Sequence, residues 1–322
     1  MNRRDFLQGT VAASALTMVA AGPALAEWAP RRPVNIILPY AAGGGTDAFA
    51  RAVAASADGI LPVPLVVVNK PGAGGITGAI EAARVRPDGL NLMITSAGSF
   101  LLTAMMRDTE VDPLEDYSIV AQIGDLDPAV LVPANSPYRT LADLVAAIEA
   151  DPGTLRWAHN GRGGFHHVAG QSFLNRNGLE AVDVPFKGGG PTRAAVIGAQ
   201  VEFAFVGIQQ AAGFDNELRV LGLNAPDRDS IADDVPTIPE QGFDYVEVSS
   251  PIVIFAPRDT DPATRDAMEA AFREIIETDA FAALMRQQGN VPEFLTGAQT
   301  REKLERLRDA TGDVIDSLRT QG

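Results

Sequence analysis

Val34-Asn35-Ile36-Ile37-Leu38-Pro39-Tyr40-Ala41-Ala42-Gly43-Gly44-Gly45-Thr46-Asp47 is an apolar run that breaks into a glycine-rich turn and then enters a helical pattern. A strand that feeds a helix through three glycines leaves backbone N–H groups bare at the positive end of a helix dipole, a place that attracts anions. The same device recurs downstream. Asn69-Lys70-Pro71-Gly72-Ala73-Gly74-Gly75, Asn160-Gly161-Arg162-Gly163-Gly164-Phe165-His166-His167 and Val184-Pro185-Phe186-Lys187-Gly188-Gly189-Gly190-Pro191 each follow a strand pattern and precede a helix pattern. Ligands of open α/β sheets bind outside the carboxyl ends of strands, where such loops lie.

Outward from these turns, short β-branched runs alternate with longer helical stretches. Val34 to Leu38, Leu65 to Val68, Leu90 to Ile94, Ser118 to Ile123, Ala129 to Val132, Leu155 to Ala158, Val201 to Val206 and Leu218 to Leu223 read as strands. Asp47 to Ala57, Thr77 to Arg84, Leu141 to Glu149, His167 to Asn177 and Pro191 to Ile197 read as helices. The alternation predicts parallel sheets covered by helices. Pro251 to Pro257 reads as a late strand, and Thr264 to Glu277 and Arg301 to Leu318 as amphipathic helices. A single core rarely grows beyond about 250 to 300 residues, so the 322-residue chain is expected to hold two α/β domains. The expected division is 27–123 with 251–322 as the first domain and 124–250 as the second, joined by a hinge of paired strands around a cleft.

Residues 1–26 read as an export signal. Asn2-Arg3-Arg4-Asp5-Phe6-Leu7-Gln8 is a twin-arginine opening, Gly9 to Gly22 is small and apolar, and Ala24-Leu25-Ala26 offers a cleavage site before Glu27. The apolar stretch falls short of the ~20 residues that span a bilayer, so the expectation is a periplasmic protein with no membrane anchor. Loss of Arg3, Arg4 and Asp5 takes the net charge from -15 to -16. A field this acidic disfavours nucleic acid and anionic membranes, and any anion must be held by local dipoles. The absence of cysteine excludes disulfides and thiolate chemistry.

Enzymatic signatures are sparse. No loop reads G-x-x-x-x-G-K-[ST], the first turn lacks G-x-G-x-x-G spacing, and His159, His166 and His167 form no H-E-x-x-H pattern, so neither a nucleotide cofactor nor a metal is expected. Ser96 and Ser99 follow a strand without a G-x-S-x-G elbow.

Taken together, Arg32-Pro33-Val34, Pro39 to Asp47, Asn69 to Gly75, Arg86-Pro87-Asp88-Gly89, His167-Val168-Ala169-Gly170 and Pro185-Phe186-Lys187-Gly188 resemble the Bug (TctC) family of extracytoplasmic receptors of tripartite tricarboxylate transporters. The resemblance covers essentially the whole mature chain. It implies a two-domain periplasmic binding protein fold of the type II kind, in which a monomer closes on a small organic carboxylate and delivers it to membrane permease subunits without catalysis. It places ligand contacts on Tyr40, Ala41, Ala42, Gly43, Gly44, Thr46 and Asp47; on Thr95, Ser96, Gly98 and Ser99; on Gly161, Arg162, Gly163, Phe165 and His167; and on Phe186, Lys187 and Gly188. One carboxylate is expected on the backbone N–H groups of the first and last loops, with Asp47 bracing the first.

Two departures bear on the ligand. Gly164 and Phe165 stand where relatives place small hydroxyl residues, and Val206 stands where many have aspartate. These predict a more apolar wall, with Arg162 as partner for a distal carboxylate, and an acid with an apolar or aromatic body over citrate, malate or aspartate. The alternatives are an exported α/β hydrolase or lyase using His167 and a loop serine, and a carboxylate sensor feeding a signalling partner. The export reading makes its own prediction: changing Arg3 and Arg4 together to lysine leaves a cytoplasmic precursor, while the wild-type periplasmic form begins Glu-Trp-Ala-Pro on Edman sequencing. A normally processed double variant would contradict twin-arginine routing.

Overall fold

The computed structural model describes residues 28–107, 109–230 and 232–320; the proposed signal and the start at Glu27 lie outside them. Four glycine- or serine-led strand-to-helix turns border the cleft. In chain order the first half runs β1 (Val34–Leu38), α1 (Gly45–Ser56), β2 (Leu65–Asn69), α2 (Ile76–Arg84), β3 (Asn91–Ser96), α3 (Ala97–Met106) and β4 (Tyr117–Gly124). There follow β5 (Pro128–Pro133), α4 (Leu141–Ala150), β6 (Arg156–His159), α5 (Phe165–Arg176), β7 (Val182–Pro185), α6 (Gly189–Ile197), β8 (Phe203–Gly207) and β9 (Leu218–Leu223). The chain ends in β10 (Ile252–Pro257), α7 (Pro262–Ile276), α8 (Asp279–Arg286), β11 (Pro292–Thr296) and α9 (Gly297–Thr320).

Two sheets result, ordered β11-β4-β10-β3-β1-β2 and β7-β6-β8-β5-β9. They are mixed, which corrects the expectation of parallel sheets. β1 pairs parallel with β2 and β3, and β6 with β7 and β8, because helical crossovers join strands running the same way. β10 enters between β3 and β4 antiparallel to both, and β5 lies antiparallel between β8 and β9. These two strands arrive from the other sheet's side of the chain, so the βα alternation does not set their direction. The sequence reading also passed over α3, α8 and β11; Thr95 to Ser99 is the end of β3 running directly into α3 rather than a loop.

The segments that join the sheets run side by side. Leu126 and Ser250 exchange backbone hydrogen bonds at 3.3 and 3.1 Å, and Ser249 Oγ donates to Asp125 at 3.0 Å. Asp125 is also ion-paired to Lys303 of α9, and α9 packs against both α3 and α5. The first turn of α3 lies against this crossing. A Cβ on Gly98 would overlap the Ser249 carbonyl oxygen, so only glycine lets the helix approach the strand.

The β1–α1 turn is braced by Asp47, whose side chain is 4% exposed. Its carboxylate accepts from Gly43 N–H at 2.9 Å, Arg51 Nε at 2.8 Å and Asn69 Nδ2 at 3.1 Å, and Asn69 Nδ2 also donates to the Tyr40 carbonyl at 3.0 Å. Thus the second glycine-rich loop supports the first instead of facing the cleft. Burial disfavours the Asp47 charge, but the bonds from Arg51, Gly43 and Asn69 together outweigh it and hold the carboxyl below its ordinary range. A depressed carboxylate stabilises the fold above its unfolded pKa near 4 and loses that contribution as pH falls through the folded value. Asp47→Ala is therefore expected to lower stability by about 1–3 kcal/mol at pH 7, with the gap to wild type narrowing below about pH 4. Urea unfolding at both pH values checks this; a gap that does not depend on pH would assign the loss to packing alone.

Candidate ligand-binding cleft

Four helix N-termini meet at one cavity of about 310 Å³. Gly44 precedes α1, Ser96 precedes α3, Gly164 precedes α5 and Gly188 precedes α6, and none of these residues caps its helix through a side chain. Away from the cavity α2 also starts uncapped, at Gly75, but three other helices are capped. Thr140 of α4 forms a capping box with Asp143, Asp261 caps α7 and Thr278 caps α8. The terminal N–H groups of a helix have no partner inside it, so the cavity gathers unpaired donors and positive dipole ends. For α3 the need is met from the hinge: Ser99 N–H donates to Ser250 Oγ at 3.0 Å, and Ser96 Oγ pairs with the same oxygen.

Of the side chains and backbone expected to bind, Tyr40, Gly44, Thr46, Asp47, Ser96, Ser99, Gly161, Phe165 and Gly188 border the cavity. The others take different places. Ala41, Ala42 and Gly43 form the exposed tip of the first turn, with φ of 87° at Gly43 supplying the bend that only glycine makes easily. Thr95 stands behind the wall, donating from Oγ1 to the Tyr40 hydroxyl at 3.2 Å; burial, more than that bond, sets Tyr40's pKa, which is raised. Gly98 faces the crossing strand. Lys187 is exposed, and Phe186 packs in the smaller core cluster.

The loop before α5 is organised by its histidines. Gly161 N–H donates to His159 Nδ1 at 3.2 Å and Gly163 N–H to His167 Nδ1 at 3.0 Å. A neutral imidazole that accepts at Nδ1 carries its proton on Nε2. Those two Nε2 atoms lie 3.3 and 3.9 Å from Asp183 Oδ2, and Arg162 reaches the same oxygen at 3.0 Å. Arg162 and His167, expected in the cleft, therefore hold the loop from behind. Burial first, and His159 second, push His167 down to about 3. The His159, His167 and Asp183 ligand atoms fall within 4.8 Å of one another, yet a cation there would have to displace both Nε2 protons and the arginine. The donor set suits a hydrogen-bonded brace.

Leu126, Gln209 and Gln210 border the cavity and escaped the sequence reading, while Gly45, Asn160, Gly164, His166 and Gly189 border it from within the glycine-rich segments expected there without having been singled out as contacts. Asn160 Oδ1 accepts from Thr192 Oγ1 at 2.7 Å, which turns its amide N–H groups the other way. Gln209 and Gln210 lie just past β8, where a polar pair ending an apolar strand was the available signal. Val206 is buried in β8 and does not border the cavity. The expected apolar wall is thus reduced to Phe165 and Leu126 among amides, hydroxyls and an imidazole.

A second cavity, of about 430 Å³, lies beside the hinge and α9. Six carboxylates and three cations border it, including Asp125, Asp127, Glu293 and Lys303. Burial, then Asp125, raise the Asp127 carboxyl well above its usual range. An anion would meet like charge there. The glycine-rich cavity has Asp47 as its one ionised side chain, and that carboxylate is already triply bonded.

The model of the tripartite tricarboxylate transporter family receptor (TctC) matches residues 49–317. Protein BugT of Bordetella pertussis is 29% identical over 285 residues, covering 87% of each chain. A TctC solute-binding protein from Polaromonas superposes with a TM-score of 0.76 at 25% identity, covering 89% of this chain and 99% of that one. An R. palustris protein solved with adipate superposes at 0.78, with 23% identity and coverage of 90% and 98%. The architecture is that of a two-domain periplasmic solute-binding protein, and this chain belongs to the tripartite tricarboxylate transporter receptor family.

Proposed function

We propose that this protein captures a small organic carboxylate in the periplasm, after export by the twin-arginine route, and delivers it as a monomer to the permease subunits of a tripartite tricarboxylate transporter. The observation that carries the reading is the set of helix N-termini without side-chain caps, converging on a cavity that lacks lysine and arginine. Residues 27–123 with 251–322 would form one lobe and 124–250 the other, closing about the Leu126–Ser250 crossing. The α1 turn belongs to the first lobe, and the α5 and α6 turns to the second. A carboxylate held between them would favour the closed form by bonding to both.

Magnitudes are sufficient. Charge-assisted hydrogen bonds contribute about 1.5–3 kcal/mol each, and a helix end adds up to about 2 kcal/mol. Four such bonds and one helix end reach the ~8 kcal/mol of a micromolar complex with a margin for ordering and closure. The adipate bound to a structural neighbour supports an acid of similar size. The hydrolase alternative finds little support: Ser96 is engaged with Ser250, and His167 accepts from Gly163 on the far side of the loop. The family itself comprises solute receptors and not an enzyme class.

Backbone recognition and point-charge recognition make different predictions. Gly188 has φ of 98°, a conformation that a β-branched residue resists. Gly188→Val is expected to abolish binding of whichever C4–C8 carboxylate binds the wild type, whereas Lys187→Ala weakens it less than threefold. Calorimetry on both variants reads the outcome. Loss of binding in Lys187→Ala alone would replace the backbone account.

A further inference from the structure

We propose that His166 sets the ligand preference of this cleft, donating from Nε2–H to an oxygen of the bound acid remote from the carboxylate held by the glycine turns. The inference rests on the carboxylate reading above and adds to it a residue and a second ligand group.

His166 sits in the first turn of α5, 5% exposed, and borders the cavity. Its Nε2 has no hydrogen-bond partner. The contrast with its neighbours is informative. His159 and His167 each accept a backbone N–H at Nδ1 and turn Nε2 toward Asp183, whereas no side chain or backbone group engages His166 Nε2. A buried polar atom left unpaired is costly and uncommon in a native fold. The residue borders the cavity while this ring edge is closed off, so a ligand supplies the missing partner when the imidazole turns toward the cavity on binding.

The surroundings define the kind of partner. Burial, reinforced by His159, holds His166 at a pKa of about 3, so at neutral pH the ring is uncharged and offers one donor and one acceptor. An uncharged donor suits a carboxylate, keto or hydroxyl oxygen without requiring a fixed cation. The Phe165 ring lies 3.7 Å from the imidazole, centroid to centroid, and presents apolar surface beside the donor. A short carbon chain with an oxygen function at each end matches this pairing of a helix-end anion site, an apolar face and an imidazole N–H. A simple monocarboxylate would leave His166 as unsatisfied as it is without ligand.

The test compares matched acids by calorimetry on full-length mature protein: straight-chain C4–C8 diacids against the monoacids of equal length. The wild type is expected to bind its best diacid about tenfold or more tightly than the matching monoacid, the factor that corresponds to about 1.4 kcal/mol. His166→Leu should erase that ratio while leaving monoacid affinity within twofold, and His166→Gln, which keeps an N–H donor, should restore part of it. Because the sequence contains three histidines, imidazole ¹⁵N spectra of untagged protein provide an independent readout. Diacid addition should shift the His166 nitrogens most, and the signal should vanish in His166→Gln. A preserved ratio in His166→Leu, equal loss for both acids, or no wild-type preference would overturn the role of His166. Failure of the folded wild type to bind any of these acids would overturn the carboxylate reading itself.

Discussion

Backbone N–H groups at the start of a helix must find an acceptor, and all four helices that border one cavity start without a side-chain cap, as does α2 away from it. α4, α7 and α8, directed elsewhere, are closed by Thr140, Asp261 and Thr278, while α1, α5 and α6 begin at Gly44, Gly164 and Gly188. A glycine in place of a capping side chain forgoes only about a few tenths of a kcal/mol of helix stability. What it leaves is a donor array suited to a negative charge without a neighbouring cation, which is how, on the proposed reading, a strongly acidic protein binds an acid.

Such an array works only if the turns keep their shape without ligand. Asp47 and Asn69 hold the first turn, and Ser250 holds α3 to the hinge crossing. His159 and His167 hold the turn before α5 by accepting its amides. The charged and titratable side chains near the cleft thus act mainly behind it, where Arg162 also neutralises Asp183. This division keeps lysine and arginine off the cavity wall and leaves the loops preorganised, so a ligand held there would spend less of its binding free energy on ordering them.

The sequence made the glycine turns legible because a turn between an apolar run and a helical period needs residues that adopt unusual φ, and glycine marks them. Strand positions were legible for the same reason, down to matching limits for Val34–Leu38 and Leu218–Leu223. Direction was not. β10 reads as an apolar strand whichever way it runs, and its antiparallel insertion between β3 and β4 depends on a crossing some 120 residues earlier in the chain. Helix phase was also hidden: His166 and His167 differ by one residue, about 100° around the axis, and the sequence alone does not say which side faces the cavity. Gln209 and Gln210 follow a strand without a glycine signal, so nothing in the pattern singled them out. Val206 misled because a substitution relative to relatives was read as a change in the wall, when its side chain belongs to the smaller core cluster.

The account rests on backbone donors holding the anion, and amide spectroscopy addresses those donors directly. In ¹H–¹⁵N correlation spectra of mature protein titrated with its carboxylate ligand, the account predicts the largest downfield proton shifts at the first-turn amides of α1, α5 and α6, around Gly45, Phe165 and Gly189. Shifts confined to lysine and arginine side chains, with those amides unmoved, would contradict it.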